Sequence, residues 1–439
     1  MNANTSFGFF GQRRFFPLFS TQFLGAFNDN LLKTAIVVLI SYHGLAVGGL
    51  PPEQLVNLAA GVFILPFFLF SATAGKLSER VDKAGLARAV KLVEIAIMVL
   101  AGAGFFLHSA PLLLSSLFLM GVHSTFFGPL KYSVLPQHLP AHELVGGNGL
   151  IEMGTFLAIL LGQIGGSLMV DGGPWLMAGA TFATAALGYL ASRAIPPAPA
   201  TNPGLALSFN VWRDSVGLMK AAWAQREVRS AMLGISWFWL LGAVYTTQLP
   251  TFTRLHLGGD ATVYTLGLAL FSVGIGAGSI ACAKLSRGKL ELGLVLVGGA
   301  GMTVFGADLA LSAFARNGHA LVGLADFLAQ PRHWRALADI ALLGFFGGFF
   351  TVPLYTWLQT AAPEHFRSQA IAANNILNGC YMVGSAVASA VLLALFDNIA
   401  ILFLAVALAN VAALWHLTAG SPTLREASAS WWRRRGWRG

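Results

Sequence analysis

The chain has 439 residues, 56% hydrophobic and only 10% charged, with 33 Phe, 11 Trp and 50 Gly. A soluble globular domain carries about 25% charged residues, so this composition excludes an ordinary water-soluble fold and fits a polytopic helical membrane protein. The net charge of +9 falls in short segments between apolar runs, which marks topology and anionic headgroups rather than a nucleic-acid partner.

Runs long enough to span a bilayer lie at residues 17–43, 56–76, 88–107, 111–132, 147–170 and 174–194, then at 230–251, 262–284, 291–313, 337–360, 369–396 and 399–418. These are twelve predicted helices in two groups of six. Arg13 and Arg14 before the first run give it the look of a signal peptide. The run is too long and lacks a small-residue cleavage site, which predicts a retained first helix. It carries Asn28-Asp29-Asn30 and Lys33 near its middle. A charge at the centre of a membrane helix costs roughly 2.5–3.5 kcal/mol on insertion scales, so such residues mark function by default. Asp29 and Lys33 are one turn apart on one face, where opposite charges partly neutralise each other. Their face is expected to look into a polar cavity, as a transporter requires; a purely structural intrahelical pair is the other reading of the same spacing.

Along the rest of the chain, basic residues cluster in alternate connections. Lys76, Arg80, Lys83 and Arg88 follow helix 2, Lys131 follows helix 4, and Arg193, Arg213, Lys220, Arg226 and Arg229 fall in the middle linker. Lys284, Arg287 and Lys289 follow helix 8, Arg367 follows helix 10, and Arg425 and Arg433 to Arg435 close the chain. The positive-inside rule then places both termini and the linker in the cytoplasm. The connection at 314–336, with Arg316, Arg332 and Arg335, is the misfit and is expected to be an ordered extracytoplasmic segment. Pro196, Pro197, Pro199 and Pro203 exclude a helix at the start of the linker. Residues 209–223 place Val211, Trp212, Val216, Met219 and Trp223 at helical spacing beside Arg213 and Lys220, which predicts an interfacial helix. The tail Trp431-Trp432-Arg433-Arg434-Arg435 is expected at the headgroups or simply solvated. The domains are therefore 1–194, a linker at 195–229, 230–419 and a basic tail at 420–439.

Cys282 and Cys380 lie in apolar runs without metal-ligand spacing and read as small buried hydrophobes, so no metal or cofactor is expected. The polar residues within spans are the candidate substrate set: Gln22, Asp29, Asn30 and Lys33 in helix 1; Lys131 at the end of helix 4; Asn148, Glu152 and Gln163 in helix 5; Gln248, Gln359, Asn374, Asn375 and Asn378 in helices 7, 10 and 11. Asn148, Glu152 and Thr155 share one face of helix 5. Lys131 and Glu152 are equally readable as braces for helix ends, and the helix 11 asparagines as interhelical hydrogen-bond donors. Lys91 and Glu94 in helix 3 read as a structural pair. His123 is a lone polar residue in helix 4, and a proton relay through it and Asp29 would need an acidic partner that the sequence does not place.

The two halves echo each other at an offset of about 210–225 residues. Lys76-Leu77-Ser78 matches Lys284-Leu285-Ser286, and Leu24-Gly25-Ala26 matches Leu241-Gly242-Ala243. Phe126-Phe127-Gly128-Pro129-Leu130 through Asn148 parallels Phe349-Phe350 with Pro353-Leu354 through Asn374. Parallel halves with a linker describe the major facilitator architecture, an all-α integral membrane fold of twelve helices in two bundles, with the substrate path between them. Gly75-Lys76-Leu77-Ser78-Glu79-Arg80-Val81-Asp82-Lys83 resembles the helix 2–3 loop of that superfamily, with Asp82 where many members have Gly. Gly75 then allows close helix approach, and Glu79 and Arg80 form gate contacts.

A narrower resemblance rests on Phe16-Pro17-Leu18-Phe19 leading into Gln22-Phe23-Leu24-Gly25-Ala26-Phe27-Asn28-Asp29-Asn30-Leu31. It also rests on Phe127-Gly128-Pro129-Leu130-Lys131-Tyr132-Ser133-Val134-Leu135-Pro136, and on Glu143 to Leu150 with Glu152 and Thr155. These resemble the lysophospholipid transporter family, in particular the transporter module that some bacteria fuse to an acyltransferase. No His-x4-Asp acyltransferase motif is present, which argues against an integral acyltransferase. The resemblance implies flipping of lysophospholipids, notably lysophosphatidylethanolamine, across the bacterial inner membrane for reacylation, with membrane lipids and a cytoplasmic acyltransferase as partners. Asp29 would then take the ammonium and Lys33 or Lys131 the phosphate, with Phe23, Phe27, Phe126 and Phe127 against the acyl chain. Some family members carry an Arg in helix 7 near the level of Thr246, and Tyr245-Thr246-Thr247-Gln248 has none. The rivals are a proton-coupled small-molecule exporter of the same fold and a membrane scaffold for a soluble acyltransferase.

Overall fold

The computed structural model describes residues 7–208, 210–315 and 320–434. Phe209, Arg316 and Arg435, and the side chains of Trp431, Trp432 and Arg434, lie outside the described residues, so the tail expectation rests on groups not described. The long elements are helices: α1 (Phe16–Tyr42), α2 (Pro52–Arg80), α3 (Lys83–Phe106), α4 (Ala110–His138), α5 (Leu144–Met169) and α6 (Gly173–Arg193). A shorter α7 (Val211–Ala224) follows, then α8 (Arg226–Phe252), α9 (Ala261–Ser286) and α10 (Gly293–Ser312). The chain continues with α11 (Leu324–Leu328), α12 (Trp334–Ala361), α13 (Arg367–Phe396), α14 (Ile399–Gly420) and α15 (Pro422–Arg434). Each of the twelve predicted runs coincides with one long helix. Among the described residues, eleven continuous stretches are long and apolar enough to cross a membrane; one of them, Ala141–Arg193, contains both α5 and α6. Those two are separated by a tight turn at Val170–Gly172 and by Gly173 at φ +82°.

Apolar surface on the outside identifies the solvent as lipid. Val383, Val387, Val391 and Leu395 recur one turn apart along α13 and are 48–70% exposed. In water such a stripe would be an aggregation site; against acyl chains it costs nothing. The chain is a multi-pass membrane protein.

Polar caps end the helices where the apolar runs stop. Asp82 starts α3 by accepting from the Gly85 amide at 2.6 Å, and Asn398 starts α14 through the Ala400 amide at 2.8 Å. Asp260 starts α9 through the Thr262 and Val263 amides, and hydrogen bonds from Thr262 hold its carboxyl below the usual range. Arg14 pairs with Glu143, tying the chain before α1 to the turn before α5, and that carboxylate raises the guanidinium pKa further.

The helices cluster as two compact units. Unit 1 comprises Met1–Gly147, Leu157–Gln225 and Gln359–Gly379; unit 2 comprises Asn148–Phe156, Arg226–Leu358 and Cys380–Gly439. In unit 1, a core of Leu31, Ala35, Ile36, Met98, Leu113 and Met120 holds α1, α3 and α4 together. A Cβ at Gly162 would come within 2.5 Å of the Phe27 carbonyl oxygen, and one at Gly166 within 2.6 Å of that of Leu31, so small residues let α5 lie backbone to backbone on α1. In unit 2, Asn410 of α14 bonds the Gly299 carbonyl and the Thr303 hydroxyl at 2.8 Å each and accepts from Trp237 at 2.7 Å.

The linker is extended at 195–200 and then enters α7, whose Trp212 is 81% exposed and Trp223 42%, as a helix lying at an interface requires. Its polar side is anchored to α2 by Asp214, which accepts from Lys76 at 2.9 Å. In the described part of the connection before α12, Val322 bridges to Gly259, and His333 stacks on Phe327 with ring centroids 3.8 Å apart.

Candidate functional site

The densest polar site is in unit 1, where α1, α3 and α4 meet. Lys91 and Glu94 are both fully buried and bond at 2.6 Å. Asn28 of α1 donates to the other Glu94 oxygen at 2.8 Å, and His123 Nε2 of α4 lies 3.1 Å from Glu94 Oε2. One carboxylate thus collects groups from three helices. Space for the Lys91 ammonium is made by Gly25, where a Cβ would approach it to 2.6 Å, and by Gly188 of α6 at 3.4 Å. Phe127 closes the site: Lys91 Nζ is 5.2 Å from its ring centroid, and His123 stacks on it at 3°. The expectation of a Lys91–Glu94 pair holds, but the pair is one part of a larger cluster to which His123 and Asn28 belong. An acidic partner for His123 therefore exists, and it is Glu94. The sequence signal was the presence of two opposite charges inside an apolar span; nothing in the spacing named Asn28 or His123.

Asp29 adjoins this cluster. Its Oδ2 accepts from Ser124, the residue after His123, at 2.6 Å, and its Oδ1 is buried without a hydrogen-bond partner among the described residues. Lys33 points its ammonium at the Phe63 ring, 5.4 Å from the centroid. Each member of the predicted intrahelical pair thus has a contact of its own. Asn30 donates back to the Ala26 carbonyl at 2.8 Å, on the side of α1 that packs on Gly162 of α5. Gln22 is buried in the same helix, and Lys131, near the end of α4, lies 4.7 Å from the Tyr132 ring centroid.

A second polar centre gathers at the end of α2. Glu79 is fully buried; one oxygen accepts from the Ser368 amide at the start of α13 at 2.5 Å, and the other accepts from the Thr201 hydroxyl in the linker. The Glu79 carbonyl accepts from the amides of Thr201 and Asn202 at 3.0 and 2.9 Å. Asp82 takes the Ala198 amide at 2.8 Å, Lys83 reaches Thr201 at 3.3 Å, and Gln137 holds the Pro199 carbonyl at 3.1 Å. The Pro-rich linker is therefore a strap across the ends of α2, α3 and α4. Gly75 lets α13 approach, since a Cβ there would be 2.8 Å from that of Ala372. Arg80 is exposed and takes no part in these contacts. A cavity of about 560 Å³ beside the strap is lined by Gln137, Thr201, Glu364 and His365 and contains none of the predicted substrate residues.

The remaining candidates divide between the units. In unit 1, Asn374 is fully buried with neither side-chain polar atom hydrogen-bonded among the described residues, Asn375 packs against Gly128, and Asn378 is half-buried. Gln359 donates to the Tyr132 carbonyl at 3.0 Å. In unit 2, Asn148 donates to the Thr356 hydroxyl at 3.0 Å, Glu152 is fully buried one turn on, and Gln248 is half-buried on α8. Among the described residues no group of His, Cys, Asp and Glu has metal-binding geometry.

Comparison with known proteins gives this arrangement a family. The profile of the Major Facilitator Superfamily matches residues 18–380. The lysophospholipid transporter LplT of Cronobacter sakazakii is 29% identical over 347 residues, covering 77% of this chain and 78% of that protein. LplT of Escherichia coli O157:H7 is 28% identical over 364 residues, covering 81% and 82%. Among solved structures, the human organic anion transporter MFSD10 superposes with a TM-score of 0.70 over 95% of this chain and 98% of its own, at 13% identity. The E. coli fucose:proton symporter FucP does so with 0.67 over 92% and 98%, also at 13% identity. At that identity these two structures speak for the fold alone. The chain is a carrier rather than an enzyme, and it belongs to the major facilitator superfamily.

Proposed function

We propose that this chain carries lysophospholipids, lysophosphatidylethanolamine foremost, across the bacterial inner membrane by alternating access, delivering them to a cytoplasmic acyltransferase. The observation that carries this reading is the state of the first helix. Among the described residues, Asp29 keeps one carboxylate oxygen without a partner, and Lys33 one turn on rests its ammonium on an aromatic face. A zwitterionic phosphoethanolamine head supplies what each lacks, an ammonium for Asp29 and a phosphate for Lys33, with Lys131 as a second cation. The likeness to LplT over more than three quarters of both chains supports the lysolipid as cargo. Gln22, Asn30, Asn148, Glu152, Gln248, Asn374 and Asn378 make up the rest of the polar path. Gly75 and Glu79 serve the gate, with both termini in the cytoplasm as the basic loops imply. The domain division expected from the sequence, 1–194 and 230–419 about a linker at 195–229, is the frame for the rocking motion. Spheroplasts lacking the protein should import and reacylate labelled lysophosphatidylethanolamine at least tenfold more slowly than wild type; equal rates would refute the cargo.

A further inference from the structure

The cluster around Glu94 is more than the carrier reading requires. Lys91 and Glu94 are wholly out of contact with solvent, and burying two charges in a low-dielectric interior costs several kcal/mol each unless their geometry is nearly complete. Glu94 has that completeness, with Lys91, Asn28 and His123 around its two oxygens. His123 does not. It is 4% exposed, only its Nε2 faces a counter-charge, and its Nδ1 is buried without a partner among the described residues. Asn28 likewise leaves its Oδ1 unpartnered, and Asp29 leaves Oδ1. Buried polar atoms without partners call for an explanation, and ionisable groups within a membrane span are functional-site candidates.

We propose that His123 is a proton-binding site whose occupancy competes with substrate at Asp29. This rests on the lysolipid-carrier reading. The charges facing the imidazole decide it. From α3 come the Glu94 carboxylate, in contact, and the Lys91 ammonium bonded to that carboxylate. From α1 comes Asp29, within electrostatic range of His123, and one turn further Lys33, turned to Phe63. The neighbouring helices add no charge: α2 has no titratable side chain between Glu53 and Lys76, α6 none before Tyr189, and α5 none after Glu152. With Asp29 ionised and empty, an imidazolium at His123 sees two carboxylates against the Lys91 ammonium. When a lysolipid ammonium settles on Asp29, one of those negative charges is cancelled. The imidazolium is then left beside Lys91 with Glu94 shared between them, and its proton leaves through the site to water. The imidazole N–H bond breaks and an O–H bond forms on the water that takes the proton; no other covalent change occurs. Histidine is suited to this because an imidazole can both take up and release a proton without any other change to the site.

The test is equilibrium binding of lysophosphatidylethanolamine to the purified full-length protein in detergent, with proton release followed by a pH dye in weak buffer. Wild type should release up to one proton per lipid bound, and its Kd should rise as the pH falls, by at most tenfold per pH unit. H123Q, which cannot take the proton at this position, should release fewer protons per lipid than wild type and lose most of the pH dependence, keeping only what protonation of Asp29 itself contributes. A flat wild-type profile without proton release overturns the proposal and leaves the carrier reading standing, as does proton release in H123Q equal to that of wild type. If H123Q does not fold, H123N replaces it in the same comparison. Absence of lysolipid binding at every pH overturns the carrier reading and this proposal with it.

Discussion

Glu94 is where the interior of unit 1 is most exposed to mutation. Removing one partner of a buried ion pair leaves an uncompensated charge and costs about 3–5 kcal/mol, whereas replacing both by apolar groups is often neutral. We predict that E94A lowers the thermal unfolding temperature of the detergent-solubilised protein sharply and that K91M/E94L recovers most of the loss. An unchanged midpoint in E94A would show that the pair does not hold α1, α3 and α4 together. Lys91 and Glu94 were legible in the sequence because three residues along a helix places them on one face. Asn28 and His123 were not, because their contact with Glu94 is tertiary and no periodicity encodes which face of one helix meets which face of another. The Asp29–Lys33 spacing was read correctly as a shared face, yet the side chains found Ser124 and Phe63, which lie 95 and 30 positions away.

At the scale of elements, the linker strap and the first turn of α13 depend on one side chain. Glu79 bonds the Ser368 amide and the Thr201 hydroxyl, and its carbonyl holds two more linker amides. An acid at a helix N-terminus also favours the helix dipole. Truncation to E79A should therefore raise amide hydrogen exchange at residues 198–202 and in the first turn of α13 by at least tenfold, with exchange in α10 unchanged; unaltered protection at both would remove Glu79 from the gate. The helix 2–3 motif made Glu79 visible. The strap was hidden because a Pro-rich stretch has no period to read; only its non-helical nature followed from the sequence. The interfacial helix α7 was visible because two exposed tryptophans and spaced apolar residues leave little else for it to be.

For the whole molecule, twelve spans follow from bilayer thickness, which fixes the length of every apolar run, and the echo between halves with the helix 2–3 motif supplies the major facilitator fold. That constraint is strong enough to make helix number readable without any contact information. Which half-helices cluster together is not: residues 359–379 belong to unit 1 and 148–156 to unit 2, since apolar periodicity names a buried face but not its neighbour. The same gap left the strap contacts unread, and Asn410 of α14 and Ser124 of α4, both in spans, were absent from the expected polar set. The central claim, that Asp29 in the first helix receives the lysolipid head, is tested most directly by purified protein in vesicles with labelled lysophosphatidylethanolamine in one leaflet. Wild type should move the lipid at least tenfold faster than protein-free vesicles and D29N should fall to the protein-free rate; D29N moving lipid as fast as wild type would contradict the account.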